Sequence, residues 1–134
     1  MSAFMSAVYA FSPAAIPVAL TAVLILAFGV RLLLRRLTSA TAAFFTMTVA
    51  VGIWMTAFAA MYSTNDAAVA LTWARRAYFG VPFIPAAIYW FTVEILRIDR
   101  RRRGATVAAW TAAAFFSAVA TTTELLIPNV QQYW

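Results

Sequence analysis

Long apolar stretches separated by short polar segments make up nearly the whole chain. A helix needs about 20 residues, at about 1.5 Å per residue, to cross the hydrocarbon core of a bilayer. We expect four transmembrane helices, at residues 14–34, 41–61, 78–96 and 105–127. The pattern therefore predicts an all-α integral membrane protein with four helices in up-down topology.

The third apolar stretch contains residues that interrupt helices. Residues 67–76 read as helix and lead directly into it, so the third element is expected to be longer than its apolar part. Gly80, Pro82 and Pro85 then follow, and each proline removes one backbone hydrogen bond. We therefore expect a third helix that is kinked at these residues.

Polar residues before the apolar stretches are typical of helix N-caps. Ser12 is expected to cap the first helix, and either Thr38 or Ser39 the second. The segment 64–66 is expected to cap the third helix, and Pro128 to end the fourth. No linker or low-complexity tract divides the chain, so residues 1–134 are expected to form a single membrane-embedded domain.

Composition excludes an ordinary soluble protein. Hydrophobic residues make up 65% of the chain and charged residues 10%, whereas soluble domains carry about 25% charged residues. The chain has no cysteine and no histidine, and four carboxylates: Asp66, Glu94, Asp99 and Glu124. This inventory offers no nucleophile–base pair and no metal-ligand spacing. We expect neither an enzyme nor a cofactor.

The arginines predict the orientation. Eight of the ten basic residues fall in the two turns that share one side of the membrane: Arg31, Arg35, Arg36, Arg97, Arg100, Arg101, Arg102 and Arg103. Such clusters mark the cytoplasmic face and contact anionic lipid headgroups. We therefore expect an inner-membrane protein with its N-terminus outside. A nucleic-acid partner is not expected, although contact of residues 97–103 with a cytoplasmic domain stays open.

Ionisable residues near the outer ends of the last two helices are candidates for a site. Glu124 and the pair Arg75 and Arg76 are expected to be neighbours, since consecutive helices joined by a short turn pack antiparallel. One interpretation is an interfacial salt bridge or separate snorkelling side chains. The other is a polar pocket for a small ligand, formed by Trp73, Arg75, Arg76, Tyr78 and Glu124. At the opposite end, the spacing of Glu94 and Arg97 predicts an ion pair on one helix face.

Several of these residues also resemble a known family. The similarity lies in the run Trp73-Ala-Arg75-Arg76-Ala-Tyr78-Phe-Gly80, then in Pro82, Pro85, Trp90-Phe91 and Glu94, with Phe44-Phe45, Trp54 and the tail 127–134. The chain resembles the N-terminal seven-helix membrane region of sensor histidine kinases, a region that also occurs on some diguanylate cyclases. The resemblance implies a sensory input module that passes a signal to a cytoplasmic domain, and often a homodimer.

The chain differs from that family in having four expected helices and no output domain. With the N-terminus outside, four crossings return the chain to the outside, so a cytoplasmic output domain would need an odd number. We expect either the N-terminal part of a longer receptor or a stand-alone four-helix protein. Its expected partners are the bilayer, other membrane helices and an unknown small ligand. A structural or assembly subunit of a membrane complex is the alternative function, and a small transporter ranks last.

Overall fold

A computed structural model describes Tyr9 and residues 12–122. This part of the chain forms five helices: α1 (Ala15–Arg35), α2 (Ser39–Tyr62), α3 (Ala67–Gly80), α4 (Phe83–Ile95) and α5 (Asp99–Thr122). Helices α3 and α4 follow each other in one span, Ala67–Ile95, so the described residues contain four spans long and apolar enough to cross a membrane. The predicted all-α fold and its four spans are confirmed.

The third span is interrupted at Val81 and Pro82. Pro82 has no N–H to donate to the carbonyl four residues earlier. Beyond it, the Ile84 N–H donates to the Val81 carbonyl at 3.1 Å, which is a tighter turn than an α-helix makes. Pro85 lies in the first turn of α4, where a missing N–H costs little. The interruption falls in the predicted segment; that the prolines cause it stays a prediction.

Two of the three predicted helix starts are capped as expected. Thr38 and Thr41 form a capping box, with each side chain accepting from the other's backbone N–H at 3.2 and 2.9 Å. The Asp66 carboxylate accepts from two N–H groups in the first turn of α3, at 2.8 and 3.1 Å. The prediction for Ser12 was wrong, because α1 has Ala14 at its N-cap position and no side-chain cap. Pro128 lies outside the described residues.

Helix α2 is the centre of the bundle. It packs against α1, α3 and α4, and α5 packs against α3 and α4. The buried apolar residues of the described part are thirteen alanines and Val93. Large apolar side chains instead point outward, as Leu20, Phe28, Leu34 and Phe115 do. Small residues inside and large ones outside are typical of helices that pack in lipid, where close backbone approach replaces hydrophobic burial.

Glycines set the closest approach of α1 to α2. A Cβ atom at Gly29 would overlap the Thr48 hydroxyl oxygen and lie 3.0 Å from its Cβ. Thr48 is fully buried, and its hydroxyl donates to the Phe45 carbonyl at 2.7 Å, so this side chain has no room to move away. At Gly52 the relation is reversed, and a Cβ would lie 2.8 Å from the Leu26 side chain. Each helix thus inserts a side chain against a glycine of the other.

A third glycine brings α3 onto α2. A Cβ atom at Gly80 would lie 2.6 Å from the Ala50 carbonyl oxygen. The obstacle is backbone, which cannot rotate out of the way as a side chain can. The last residue of α3 is therefore pressed against the middle of α2, one residue before the interruption of the third span.

We expect Gly80→Ala and Gly29→Ala to destabilise the bundle by about 1–3 kcal/mol, because the added methyl group overpacks a closed interface. Gly104→Ala is the matched control, since nothing lies within 4 Å of its Cβ position. That change is expected to be neutral or to stabilise by up to about 1 kcal/mol, from helix propensity. Thermal unfolding followed by circular dichroism in detergent measures all three. Equal effects at Gly80 and Gly104 would contradict the close packing.

Candidate functional site

Trp73 and Arg76 form a pair on one face of α3. The guanidinium carbon of Arg76 lies 4.9 Å from the centre of the Trp73 ring, within the range of a cation–π interaction. The Trp73 indole N–H donates to the Tyr9 hydroxyl at 3.0 Å. Tyr9 also forms an isolated antiparallel bridge with Thr64, at the turn between α2 and α3. Tyr9 therefore lies at this end of the bundle and holds the indole in place.

This pair lines a crevice between α1, α2 and α3. The crevice encloses about 360 Å³, and its lining residues are Leu26, Val49, Gly52, Ile53, Thr56, Ala57, Trp73 and Arg76. Arg76 is the charged group of the lining, and the Thr56 hydroxyl and the Trp73 indole are the other polar groups. The arrangement is an apolar groove with Arg76 as the one charged residue of its lining.

Tyr78 lies on a different side of α3 from this pair. It lines a second cavity of about 550 Å³, formed mainly by α4 and α5, together with Pro82, Pro85, Tyr89 and Phe116. The structure thus brings Trp73 and Arg76 together and separates them from Tyr78. Arg75 is half-buried and Arg76 is exposed. Glu124, the remaining member of the predicted pocket, lies outside the described residues.

A hydrogen bond joins α5 to α3 just before the interruption of the third span. The Ser117 hydroxyl donates to the Phe79 carbonyl at 3.0 Å, and Ser117 is buried. Carbonyls at a helix C-terminus lack partners within their own helix. Ser117 therefore satisfies a backbone group where the helix ends, and fixes α5 to the joint between α3 and α4.

Residues 17–133 match the family model described as the N-terminal 7TM region of histidine kinase. The chain belongs to this family. It is therefore a membrane-embedded sensor region of the histidine kinase type, and this region is not itself catalytic. The family description names seven transmembrane helices, and the described residues contain four candidate spans. Comparisons with curated proteins and with solved structures found no match.

At the other end of the sensor region, the arginines are exposed around two turns. Arg35 ends α1 and Arg36 follows it with extended backbone. The residues Arg100, Arg101, Arg102 and Arg103 were expected in a turn, but they lie in the first turns of α5. Cations are unfavourable at a helix N-terminus, where the helix dipole is positive. Helix stability therefore does not explain their position.

Arg97 completes the turn between α4 and α5. Its φ of 56° is in the left-handed region. The Arg97 N–H donates to the Glu94 carbonyl at 3.2 Å, and the Ile98 N–H to the Val93 carbonyl at 3.1 Å. This is a Schellman motif, in which glycine is the usual residue at the left-handed position.

Glu94 takes a different partner from the one expected. Helix α4 ends at Ile95, two residues before Arg97, so the predicted helical pairing of Glu94 with Arg97 was wrong. The Glu94 carboxylate instead accepts from the Trp90 indole at 3.0 Å. Trp90 in turn contacts Trp110 of α5 edge-on, with ring centres 6.1 Å apart. The described part of the sensor region contains no group of three His, Cys, Asp or Glu side chains that could hold a metal ion.

The hydrogen bonds of Tyr9 and Ser117 could not be predicted from the sequence. The N-terminal segment is uncharged and apolar, and nothing in it marks Tyr9 as a partner of Trp73. Ser117 is one hydroxyl residue in an Ala-rich helix, where serine usually bonds to its own helix. In both cases the partner is distant in sequence, 64 and 38 residues away.

We expect Ser117→Ala to destabilise the joint by about 1 kcal/mol, since the Phe79 carbonyl loses its partner. Thr111→Val is the control, because the Thr111 hydroxyl bonds within its own helix, to Val107. Hydrogen–deuterium exchange of the backbone around Val81 should be faster in Ser117→Ala and unchanged in Thr111→Val. Unchanged exchange in both variants would show that this bond does not hold the joint.

We expect Arg97→Gly to stabilise the sensor region by about 1 kcal/mol, because glycine adopts the left-handed conformation without steric cost. Arg101→Gly removes the same charge from inside α5 and should destabilise by up to about 1 kcal/mol. Denaturation with sodium dodecyl sulfate, followed by far-ultraviolet circular dichroism, compares the two variants. A loss of stability in both would mean that charge, and not backbone conformation, decides the outcome.

Proposed function

We propose that this chain is the membrane-embedded input domain of a histidine kinase receptor, whose transmitter is not part of these 134 residues. The match to the histidine kinase 7TM region over residues 17–133 is the observation that carries the proposal. In this proposal, residues 1–134 form one domain and the N-terminal part of a longer sensory region. A signal favours one packing of the helices, and that packing is passed to a cytoplasmic kinase.

We propose an up-down topology with the N-terminus outside the inner membrane. The exposed arginines around the α1–α2 and α4–α5 turns support a cytoplasmic position for both turns. The turn at residues 63–66, together with Tyr9 and Trp73, then lies at the outer face. The arginines bind anionic headgroups of the inner leaflet.

The proposed signal site is the crevice at the Trp73–Arg76 pair. Of the other members of the predicted pocket, Arg75 and Glu124 stay proposed members of this site, whereas Tyr78 lines the separate cavity formed mainly by α4 and α5 and is not part of it. An arginine next to an indole inside a candidate span supports this assignment, because charged groups in spans are costly and are commonly functional.

The interrupted third span is the proposed transmitting element. Helices α3 and α4 both pack on α2, and Ser117 ties α5 to the end of α3. A ligand that contacts α3 can shift the equilibrium between two packings of the helices only if it binds one packing more tightly than the other. Because α4 leads to the proposed cytoplasmic turn, a change in the angle between α3 and α4 moves the cytoplasmic end of α4.

A structural or assembly subunit of a membrane complex is the second candidate function. The buried faces of alanine and glycine favour it, since small residues permit close packing with further helices, including those of a second copy. This candidate predicts stable co-purification with a partner and no ligand.

Cysteine labelling tests the orientation, and the absence of native cysteines makes the chain suited to it. Single cysteines at Leu37 and Ile98 should react with a membrane-impermeant maleimide only after the cells are opened. A cysteine at Asn65 should react in intact cells. The reversed pattern would overturn the proposed topology.

The mass of the native polypeptide, extracted from its own membrane, separates the two candidate functions. The receptor proposal predicts a mass well above 14.7 kDa and ATP-dependent autophosphorylation of the purified protein. A mass near 14.7 kDa with a co-purifying partner would support the subunit function and contradict the receptor.

A further inference from the structure

We propose that the crevice between α1, α2 and α3 binds a long-chain carboxylate, that is, an anionic amphiphile with a single apolar chain. Its role as the signal rests on the proposed function, but the binding itself depends only on the crevice. The inference follows from the apolar lining, the size and the charge of this groove.

The lining of the groove is almost entirely apolar, and its charged member, Arg76, lies nearer one end. Along α2 its lining runs from Ala57 to Val49, a length of about 12 Å at 1.5 Å per residue. Gly80 fixes the register, because it abuts Ala50. Arg76 is one turn earlier on α3, so it lies about 6 Å nearer the Tyr62 end of α2. The Arg76 backbone is thus level with position 54 of α2, inside the lined stretch. Its guanidinium lies over Trp73, which is about one turn nearer the Tyr62 end, so the charge lies toward that end of the groove. In the other direction, the apolar lining continues for about 7.5 Å, as far as Val49.

The floor of the groove is formed by Gly52 of α2 and by Leu26 of α1, whose side chain packs directly against this glycine. Thr56 and Ile53 are exposed beside it, so the groove is open along its length. The volume of about 360 Å³ is near the lower end of small-molecule sites, about 300–1,000 Å³. This size suits one acyl chain.

The charge of Arg76 is available to an anion. Arg76 is exposed, and among the described residues its recorded partner is the Trp73 ring. The described carboxylates nearest in sequence are engaged elsewhere: Asp66 caps α3, and Glu94 accepts from Trp90. Trp73 holds one side of the guanidinium and is itself held by Tyr9. A planar guanidinium matches a carboxylate with two parallel hydrogen bonds.

A photoreactive fatty acid tests the proposal. The full chain is placed in nanodiscs of zwitterionic phosphatidylcholine and irradiated with a hexadecanoic acid that carries a diazirine in its chain. Labelling should map to α2 near Gly52 and to Leu26, and unlabelled hexadecanoate should compete. Methyl hexadecanoate should not compete, since it lacks the charge. Labelling spread over the outward faces of α1 and α5, and not reduced by unlabelled hexadecanoate, would overturn the proposed site.

Variants separate the groove from general lipid contact. Arg76→Gln should weaken binding by about tenfold or more, because a charge-assisted hydrogen bond is lost. Arg101→Gln removes the same charge at the other end of the bundle and should leave binding unchanged. Thr56→Trp fills the groove from an exposed position and keeps Arg76, so it should abolish labelling in a folded protein. Equal labelling of Arg76→Gln and Arg101→Gln would contradict the proposal.

Two further measurements identify the ligand class and its role. If phosphatidylglycerol competes as strongly as hexadecanoate, the groove binds bilayer lipid, and the proposal of a long-chain carboxylate as its ligand is overturned. Hexadecanoate added to the full-length receptor should change autophosphorylation in the wild type and not in Arg76→Gln. Binding without that change would contradict the sensory function and leave the binding site supported.

Discussion

The close approach of α2 to its neighbours is the constraint on which the rest of the structure depends. In lipid, burial of large apolar side chains gives helices little reason to associate, so packing contacts between small residues must hold them together. Gly29 accommodates Thr48, and Gly80 lies against the Ala50 carbonyl. These contacts fix the position of α1 and α3 along α2. The large side chains are thereby left to face outward.

The crevice and the joint of the third span both follow from this packing. Leu26 packs against Gly52 at the floor of the crevice, Trp73 and Arg76 of α3 line its side, and Gly80 brings the end of α3 against α2 immediately before Val81. The crevice with Arg76 and the joint between α3 and α4 thus share helices α2 and α3. We propose that this is why a ligand at Arg76 can influence the direction of α4.

The four spans and the caps at Thr38 and Asp66 could be predicted because local sequence determines each of them, and the interruption of the third span falls in the predicted segment. The site could be predicted only in part. Helical spacing places Trp73 with Arg76 and separates both from Tyr78, which a linear list of polar residues does not reveal. The contacts of Tyr9 and Ser117 depend on the packing of distant segments, and no local pattern carries that information.

The central claim is that the third span is two helices with a movable joint. Electron–electron resonance between spin labels at Thr72 and Ile95, both exposed, measures it directly in this cysteine-free chain. The account predicts a broader distance distribution than for a pair at Leu20 and Leu34 of α1. It also predicts that Pro82→Ala narrows the distance distribution and shifts it toward about 35 Å, the separation of these two residues in a continuous helix. Equally narrow distributions for both pairs, unaffected by Pro82→Ala, would contradict it.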